Sequence, residues 1–292
     1  MIIIKMQGGL GNQLFLYGLY KELLYLGREV KMDNISGFED DPQRSPSLYK
    51  LGISYDIAED GEIRTMRDSY MDPLSRIRRK ITGRKNKDYY EALDGNFDEH
   101  VLKADDIYLN GYFQSDDYFK DDEVRQDLIA DICKNKDLYL GDQDVTGIRK
   151  AIRSSNSVSM HIRRGDYLTP VSRKTYGGIC TDDYYAKAME LVRSSYPDAQ
   201  FYIFSNDIDW CRAKYKETDN ISFVNISGDD SDIKEFFLMS ECRHHILANS
   251  SFSWWAAFLG SADDRDRLNI VPSKWTNTRQ MKDIYASWMT RI

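Results

Sequence analysis

Two adjacent arginines, Arg163 and Arg164, are the residues whose type and position most clearly suggest chemistry. They end an alternating, partly apolar run, 158–162, that has the pattern of a buried strand. Guanidinium groups bind phosphate oxygens through paired hydrogen bonds, and Gly165 allows a sharp turn at this point. A pair of surface salt bridges is the alternative interpretation. Because ligands of parallel α/β sheets bind where strands end, we predict an anion-binding site here.

The charge of the whole chain restricts the kind of anion. The formal net charge is −7, so the positive charge of this segment is local. General nucleic-acid binding needs a broad basic face, and a small anionic ligand fits the chain better. Side chains alternate along a strand, so His161 and Arg163 share a face whereas Arg164 points elsewhere.

A second cluster, ANSSFSWW (248–255), runs from a predicted strand end into a predicted helix start. Ser250, Ser251 and Ser253 supply hydroxyl groups there. The amides of a helix N-terminus and its positive dipole end form a phosphate site. Ordinary helix capping by one of these serines is compatible with that interpretation. The pair Trp254–Trp255 is typical of core packing.

A third cluster, FSNDIDW (204–210), stands at another predicted strand end. Ser205, Asn206 and Asp207 could bind a base or sugar edge, or they could form a helix cap. Its DID triplet is one of four Asp-x-Asp triplets in the chain, about as many as chance placement of 35 aspartates gives. The triplet therefore does not indicate a divalent metal site.

The opening turn GGLGNQ (8–13) is a fourth, weaker signal. It lacks the third glycine of a dinucleotide-binding fingerprint, because Leu14 stands at that position. Its glycines allow close backbone approach, and we expect Asn12 and Gln13 to face a ligand crevice. No phosphate-binding P-loop sequence is present, which disfavours a kinase or ATPase.

The elements that position these residues alternate between strand and helix. A β-branched run at 2–4 precedes a helical pattern that Gly27 closes as a C-cap. In the second half, strand-like runs near 157–162, 200–204, 221–226, 244–248 and 268–272 alternate with helical patterns at 182–196, 207–216, 231–241 and 251–260. Thr181 and Ser231 are candidate N-caps. Such alternation predicts parallel α/β sheets in two halves, joined near 145–156.

Composition narrows the remaining possibilities. Four cysteines without a CxxC pair indicate reduced thiols, and four histidines do not form a metal-binding pattern. No signal peptide or apolar stretch of membrane-spanning length is visible, so we expect a cytoplasmic protein. The segment 76–87 carries seven Lys or Arg residues. A solvated surface is the usual explanation, and a peripheral contact with an anionic membrane is the alternative.

Four segments together resemble one family. GGLGNQLFLYGL, GYFQSDDYF, HIRRGDYL with FSNDIDWC, and HILANSSFSWWAAFLG occur in the order and spacing of the inverting α-1,2-fucosyltransferases, glycosyltransferase family 11. The resemblance implies a GT-B-like α/β fold of two facing Rossmann-type domains with parallel sheets, and no metal or other cofactor. We expect an N-terminal acceptor-side domain over 1–150, a GDP-sugar domain over 151–275, and a C-terminal helix over 276–292 that packs back towards the N-terminal domain.

The resemblance also implies roles for individual residues. The donor would be GDP-β-L-fucose, and Arg163 would stabilise the charge that develops on departing GDP. Asp166 is a candidate catalytic base, although it could instead hold the arginines in place. The donor-binding candidates are Asn12, Gln13, His161, Arg164, Ser205, Asn206, Asp207, Asn249, Ser250, Ser251 and Phe252.

The resemblance implies inverting transfer of L-fucose to the 2-hydroxyl of a terminal galactose-type residue. The acceptor would be a free oligosaccharide or a lipid-linked glycan, processed in the cytoplasm or at the inner face of the plasma membrane. One alternative is a GDP-sugar transferase of the same fold with another sugar or linkage. Another is a nucleotide-sugar or glycan-binding protein without catalysis.

Overall fold

The computed structural model describes residues 1–39, 41, 43–216, 218, 220–260 and 266–292, apart from the side chains of Asp166 and Val171. The chain divides into two compact units, Met1–Asp131 and Ile132–Ile292. The described elements of the first unit are β1 Ile2–Lys5, α1 Leu10–Tyr25, β2 Val30–Asp33, α2 Asp60–Met66, α3 Pro73–Thr82, β3 Asp88–Tyr90, α4 Glu99–Lys103, β4 Ile107–Asn110 and α5 Asp122–Cys133, which crosses the boundary.

The second unit has the same alternating plan. Its described elements are α6 Lys136–Leu140, α7 Gln143–Arg153, β5 Ser157–Ile162, α8 Pro170–Tyr176, α9 Asp182–Ser195, β6 Gln200–Ser205, α10 Ile208–Lys214, β7 Ile221–Val224, α11 Ser231–Glu241, β8 His244–Ile246, α12 Ser251–Gly260, β9 Asn269–Val271 and β10 Thr290–Arg291. Short 3-10 turns span Leu48–Leu51, Asp116–Phe119 and Gly165–Leu168. No helix in the described residues is long and apolar enough to cross a membrane.

The first sheet is parallel, with strand order β2-β1-β4-β3. Its central strand β1 begins with three fully buried isoleucines. Helix α1 is apolar around most of its circumference, which is typical of a helix buried on several sides. Gly27 follows the helix with a φ of +75° and donates its N–H to Leu24 O, so the predicted glycine stop is confirmed.

The second sheet is also parallel, with strand order β10-β9-β8-β5-β6-β7. All six residues of β5 are buried, which matches a central strand covered on both faces. The chain runs from β5 to β6 and β7 on one side and then returns to β8 and β9 on the other. This order creates a topological switch point between β5 and β8, where ligands of such sheets bind. The predicted α/β class with parallel sheets in both halves is confirmed.

The unit boundary differs from the predicted one near residue 150. Helices α6 and α7 precede β5 but pack on α11, so they belong to the second unit. The largely buried carboxylate of Glu241, at the end of α11, pairs with Lys136, Arg149 and Arg153 at N–O distances of 3.0 to 3.2 Å. One acidic residue thus connects both helices to the second unit. No local sequence pattern predicts these ion pairs.

The prediction of a C-terminal helix over 276–292 is wrong. This fully described segment contains turns and the short strand β10, which extends the second sheet beside β9. Its buried residue Ile284 accepts a hydrogen bond from Trp254 Nε1 at 2.9 Å, and Trp288 contacts the Trp254 ring. The predicted core role of Trp254 and Trp255 is confirmed, since both are fully buried.

The two predicted N-caps have different outcomes. Thr181 accepts a hydrogen bond from Tyr184 N through its hydroxyl, so this cap is confirmed. Ser231 is instead the first residue of α11, and Asp230 occupies the N-cap position. The Ser231 amide bonds back to Gly228 O, which makes Ser231 part of the helical turn.

One carboxyl group of the first unit, that of Glu22, is buried next to a second, half-buried carboxyl group, that of Asp121. The Glu22 side chain on α1 is 1% exposed and faces Asp121. Burial, and then the hydrogen bond to Asp121, raise the pKa of Glu22 from 4.5 to about 7. A folded-state pKa above the unfolded value means that folding favours the protonated carboxyl. The contribution of the protonated Glu22 carboxyl to folding stability is therefore present at acidic pH and is lost as the pH rises towards 7.

We expect Glu22→Gln to stabilise the protein at pH 8 by about 1–2 kcal/mol, because the amide keeps a donor and carries no charge. At pH 5 the variant and the parent should differ little. Urea denaturation at both pH values measures the effect, with the exposed residue Glu190 changed to Gln as the control. Equal stability changes at pH 5 and pH 8 would contradict the assignment.

Candidate functional site

Three of the predicted clusters leave the same edge of the second sheet. Ile162 pairs with Ser205 on one neighbouring strand, and Met160 pairs with Ile246 on the other. Because the strands are parallel, the segments after β5, β6 and β8 emerge side by side. The structure thus gathers three segments at the switch point: the turn that carries Arg163 and Arg164 (163–165, the arginine turn), 204–210 and 248–255.

Arg164 is held by three contacts to the segment after β6. Its Nε donates to Asp207 Oδ2 at 3.0 Å, and its backbone N–H donates to Asn206 Oδ1 at 2.9 Å. Its guanidinium carbon lies 3.8 Å from the centroid of the Trp210 ring, within cation–π range. Arg164 therefore acts as a positioning residue for the turn that carries its neighbour. We refer to Arg164, Asn206, Asp207 and Trp210 as the arginine clamp.

The acceptors of the arginine clamp are themselves fixed. Asp207 Oδ1 accepts a hydrogen bond from Trp210 N, so Asp207 also caps α10, as the alternative interpretation of this segment predicts. Ser205 Oγ accepts the Asp207 amide at 3.0 Å. These polar atoms of residues 205–207 thus form hydrogen bonds within the protein.

Gly165 is required by the close approach of the turn to Asn206. Its φ is +23°, and a Cβ atom at this position would lie 2.3 Å from Asn206 Nδ2. Any larger residue would displace the side-chain amide of Asn206, whose oxygen accepts the hydrogen bond from the Arg164 backbone N–H. The sharp turn predicted from the glycine is thus confirmed, and its partner is a residue 41 positions away in the sequence.

Arg163 lies beside the ring of Tyr167. Its guanidinium carbon is 5.6 Å from the ring centroid, and the residue is half-buried. Tyr167 is in turn fixed, since its hydroxyl donates to Asn249 O at 2.9 Å and its ring stacks on Tyr176 at 5.0 Å. Arg163 therefore stands on an aromatic support at the edge of the sheet where the three segments meet.

His161 is a buried, neutral imidazole. It is 4% exposed, and burial followed by the charge of Arg163 lowers its pKa from 6.5 to about 3. Within the described residues, its Nδ1 is buried without a hydrogen-bond partner. Tyr185 holds the backbone by donating to the His161 carbonyl at 2.9 Å, and the Phe252 ring lies 5.9 Å from the imidazole. This side chain can exchange hydrogen bonds with a ligand but brings no charge.

Asn249 fastens several loops together. Its Nδ2 donates to Trp275 O at 3.0 Å and to Tyr176 O at 3.3 Å, and its Oδ1 accepts from Cys180 Sγ at 3.4 Å. The residue is 3% exposed. Its side chain is engaged within the protein, which makes it a positioning residue in this structure rather than an open donor-binding group.

Helix α12 starts at Ser251, beside the arginine turn. The amides of its first turn have no acceptor within the helix, as at any helix start. Ser250 is buried, whereas Ser251 and Phe252 are half-buried. Ser253 Oγ bonds back to Ser250 O at 3.2 Å, so its hydroxyl serves the helix start. Phe252 packs between the rings of His161 and Phe236.

In the first unit, Asn12 and Gln13 have different environments. Asn12 is half-buried, and its Oδ1 accepts from Gln114 Nε2 at 2.8 Å. Gln13 is fully buried: its Nε2 donates to Gly8 O and Ser45 O, and its Oε1 accepts from Ser47 N. The expectation that Gln13 faces a crevice is therefore wrong. Successive helical residues point about 100° apart, which turns Gln13 towards the loop it holds.

The sequence patterns did not predict three residues that support the candidate site. Gln114, Tyr167 and Tyr185 each fix a predicted site residue through one hydrogen bond. Gln114 and Tyr167 lie within the segments GYFQSDDYF and HIRRGDYL, and this position is the sequence signal that points to them. Their partners are distant in sequence, so the contacts themselves were not visible. The predicted catalytic residue Asp166 has its side chain outside the described part of the chain, and its role stays a prediction.

The aspartates of two Asp-x-Asp triplets are accounted for in part by ion pairs. Asp207 pairs with Arg164, and Asp142 and Asp144 pair with Lys234. Among the residues that the structure describes, no three His, Cys, Asp or Glu side chains converge as a metal site. Residue 264 of a further triplet lies outside the described residues.

Comparison with known proteins links the chain to enzymes of sugar transfer. The family model described as Glycosyl transferase family 11 matches residues 80–290. An alpha-1,2-colitosyltransferase of Escherichia coli is 27% identical over 291 residues, which cover 96% of this chain and 94% of the relative. The O-antigen biosynthesis glycosyltransferase WbnK of Escherichia coli is 30% identical over 304 residues, covering 97% and 98%.

Two further likenesses are more limited. Galactoside alpha-(1,2)-fucosyltransferase 1 of Saimiri boliviensis boliviensis is 30% identical over 116 residues, covering 39% of this chain and 32% of the relative. The crystal structure of fucosyltransferase NodZ from Bradyrhizobium aligns over 88% of this chain and 93% of its own, with a TM-score of 0.42 and 12% identity. The structural likeness is therefore low overall.

We expect Gly165→Ala to lower the melting temperature by several degrees, equivalent to about 1–3 kcal/mol, because the new methyl group displaces Asn206. Gly178→Ala is the matched control: its φ is also positive, at +71°, but no atom lies within 4 Å of the added Cβ. Differential scanning calorimetry measures both variants. Equal losses would show that backbone conformation alone, and not the clash, determines the cost.

Proposed function

Since the chain belongs to glycosyltransferase family 11, we propose that it transfers L-fucose from GDP-β-L-fucose to the 2-hydroxyl of a terminal galactose-type residue. The transfer inverts the configuration at the fucose anomeric carbon to give an α linkage. The acceptor is an oligosaccharide or a lipid-linked glycan, and the enzyme works in the cytoplasm or at the inner face of the plasma membrane. Nucleic acid is not a partner.

One observation carries the proposal: Arg163, His161 and the first turn of α12 converge at the switch point of the second sheet. A guanidinium group, a neutral imidazole and helix-start amides together suit a diphosphate. They do so in a chain whose net charge is −7, so the positive charge of this site is a local feature.

We assign the central catalytic role to Arg163. As the bond between the anomeric carbon and the β-phosphate oxygen lengthens, negative charge builds on GDP and positive charge on the sugar ring. A fixed guanidinium stabilises the departing diphosphate without reorganisation, which lowers the barrier. The arginine clamp and Tyr167 hold Arg163 in place for this task. We propose that no metal or other cofactor is needed.

The other candidates have graded roles in this proposal. His161 borders the donor site as a neutral imidazole beside Arg163. Ser250, Ser251 and Phe252 surround the phosphates, and the edge at 205–207 borders the nucleoside. In the first unit, Asn12 keeps its place as a donor-binding candidate. Asp166 is the proposed base, although an oxocarbenium-like path with late proton loss would need little help from one.

The relatives raise a second candidate function. One of them is named an alpha-1,2-colitosyltransferase, which transfers a different sugar. A GDP-sugar transferase of the same fold with another donor or linkage is therefore the alternative. Incubation with GDP-fucose and lacto-N-biose, N-acetyllactosamine, galacto-N-biose or lactose, followed by linkage assignment by NMR, distinguishes the two. Tight GDP binding without any product would instead indicate a binding protein.

We expect Arg163→Ala to reduce kcat by about 10²–10³-fold, because one preorganised stabiliser of the leaving group is lost. The melting temperature should stay near that of the parent, since the side chain is half-buried at the sheet edge. Arg173→Ala, an exposed arginine of α8 in the same unit, is the control and should keep full activity. Turnover of Arg163→Ala within a factor of about three of the parent would refute this mechanism.

GDP should raise the melting temperature in the presence of EDTA, whereas ADP and UDP should do so much less. Ligand at a hundredfold excess over its Kd stabilises by about 2.7 kcal/mol, which is several degrees for a chain of this size. Differential scanning fluorimetry with and without added Mg²⁺ measures the effect. A GDP shift that appears only with Mg²⁺ would contradict metal-independent binding.

A further inference from the structure

Helix α3 presents an exposed apolar stripe. Leu74, Ile77 and Ile81 are 79%, 54% and 78% exposed, and their spacing places them on one face. Met71, just before the helix, is 65% exposed. None of the ten residues of α3 is buried. Isolated exposed apolar residues are ordinary, but a complete helical stripe indicates a surface that binds something.

The helix is nevertheless well anchored, by polar contacts that do not involve the stripe residues. Arg78 forms an ion pair with Asp68, and Arg79 Nη1 donates to Asp68 O at 3.1 Å. Asp68 is 5% exposed and also accepts the Lys85 amide at 2.8 Å. Asp72 caps the helix start by accepting from Ser75 N at 2.9 Å. The apolar stripe is thus held outward by polar contacts and takes no part in the core.

The stripe is flanked by positive charge. The segment 76–87 holds seven Lys or Arg residues in a chain of net charge −7. Besides the anchoring Arg78 and Arg79, the segment carries the exposed residues Arg76, Lys80 and Arg84. Helical geometry places Lys80 beside the stripe and Arg76 further round on the same flank, and Arg84 follows at the end of the stripe. Apolar residues on one side with cations along their border are characteristic of helices that lie in a membrane interface.

We propose that α3 and residues 83–87 dock this protein on the surface of an anionic phospholipid bilayer. Leu74, Ile77 and Ile81 enter the boundary between headgroups and acyl chains, and Arg76, Lys80 and Arg84 contact lipid phosphates. We refer to these six residues as the docking surface. Each basic residue near an anionic bilayer raises partitioning by about fivefold, so the charges and the stripe reinforce each other.

A bilayer suits this surface better than another protein does. A second copy of the chain would bring the same cations against the first, and like charges repel. A stable protein interface needs about 800 Å² on each partner, which a single stripe of three side chains does not supply. A bilayer offers apolar and anionic layers at the adjacent depths that the helix requires. This proposal is independent of the sugar donor and of the transfer chemistry.

Sedimentation of the full chain with vesicles tests the proposal. We expect binding to vesicles of phosphatidylcholine with phosphatidylglycerol, and much weaker binding to phosphatidylcholine alone. The variant Leu74→Ser/Ile77→Ser/Ile81→Ser should lose at least about tenfold in partitioning, because the apolar contribution is removed. The variant Arg76→Gln/Lys80→Gln/Arg84→Gln should lose a similar factor, and binding of the parent should fall in high salt.

Two matched controls separate location from composition. Ile35→Ser/Ile57→Ser/Leu138→Ser removes one leucine and two isoleucines that are 53% to 69% exposed elsewhere. Lys103→Gln/Lys150→Gln/Lys216→Gln changes the net charge equally at exposed sites. Both should bind vesicles like the parent, and all variants should keep the parent melting temperature. Failure of the parent to bind, or equal binding by all variants, would overturn the proposal.

Analytical ultracentrifugation without lipid tests the competing occupants. The parent should sediment identically to the Leu74→Ser/Ile77→Ser/Ile81→Ser variant at every concentration. Concentration-dependent association that this variant abolishes would assign the stripe to a second copy of the chain and overturn the membrane assignment.

Discussion

The ion pair between Arg164 and Asp207 is the contact on which the candidate site depends. It joins the segment after β5 to the segment after β6, and Trp210 stacks on the same guanidinium. An exposed ion pair of this kind adds little stability in water. Here it is half-buried and combined with the Asn206 bond and the Gly165 approach, so its main effect is geometric. It fixes the turn from which Arg163 projects.

At the same edge of the sheet, the neutral side chain of His161 lies close to the charge of Arg163. His161 stays neutral because burial and the neighbouring charge of Arg163 both disfavour protonation. Asn249, Tyr167 and Tyr176 hold the surrounding loops through backbone acceptors. These contacts orient the side chains of the candidate site, and such preorganisation is what the proposed binding of a diphosphate would require.

The molecule distributes its positive charge unevenly, and two regions illustrate different uses of arginine. At the switch point, Arg164 positions the turn that carries Arg163. In α3, Arg78 and Arg79 anchor the helix to Asp68, while Arg76 and Lys80 stay exposed. The basic residues of α3 thus divide into anchors and exposed groups, because successive side chains leave the helix in different directions.

The sequence by itself determined the alternating α/β plan, the parallel sheets, the glycine turn at Gly165 and the strand ends at which the candidate site residues gather. Those features depend on local spacing and on the rule that ligands bind at strand ends. Only the tertiary structure decided which side chains are open to a ligand. The sequence predicts Gln13, Asn249 and Arg164 as binding residues. In the structure each forms hydrogen bonds with residues that lie 26 to 82 positions away in the sequence. Such pairings depend on how distant segments pack, and local pattern does not encode them; the same reason hid the boundary at Ile132 and the strand β10.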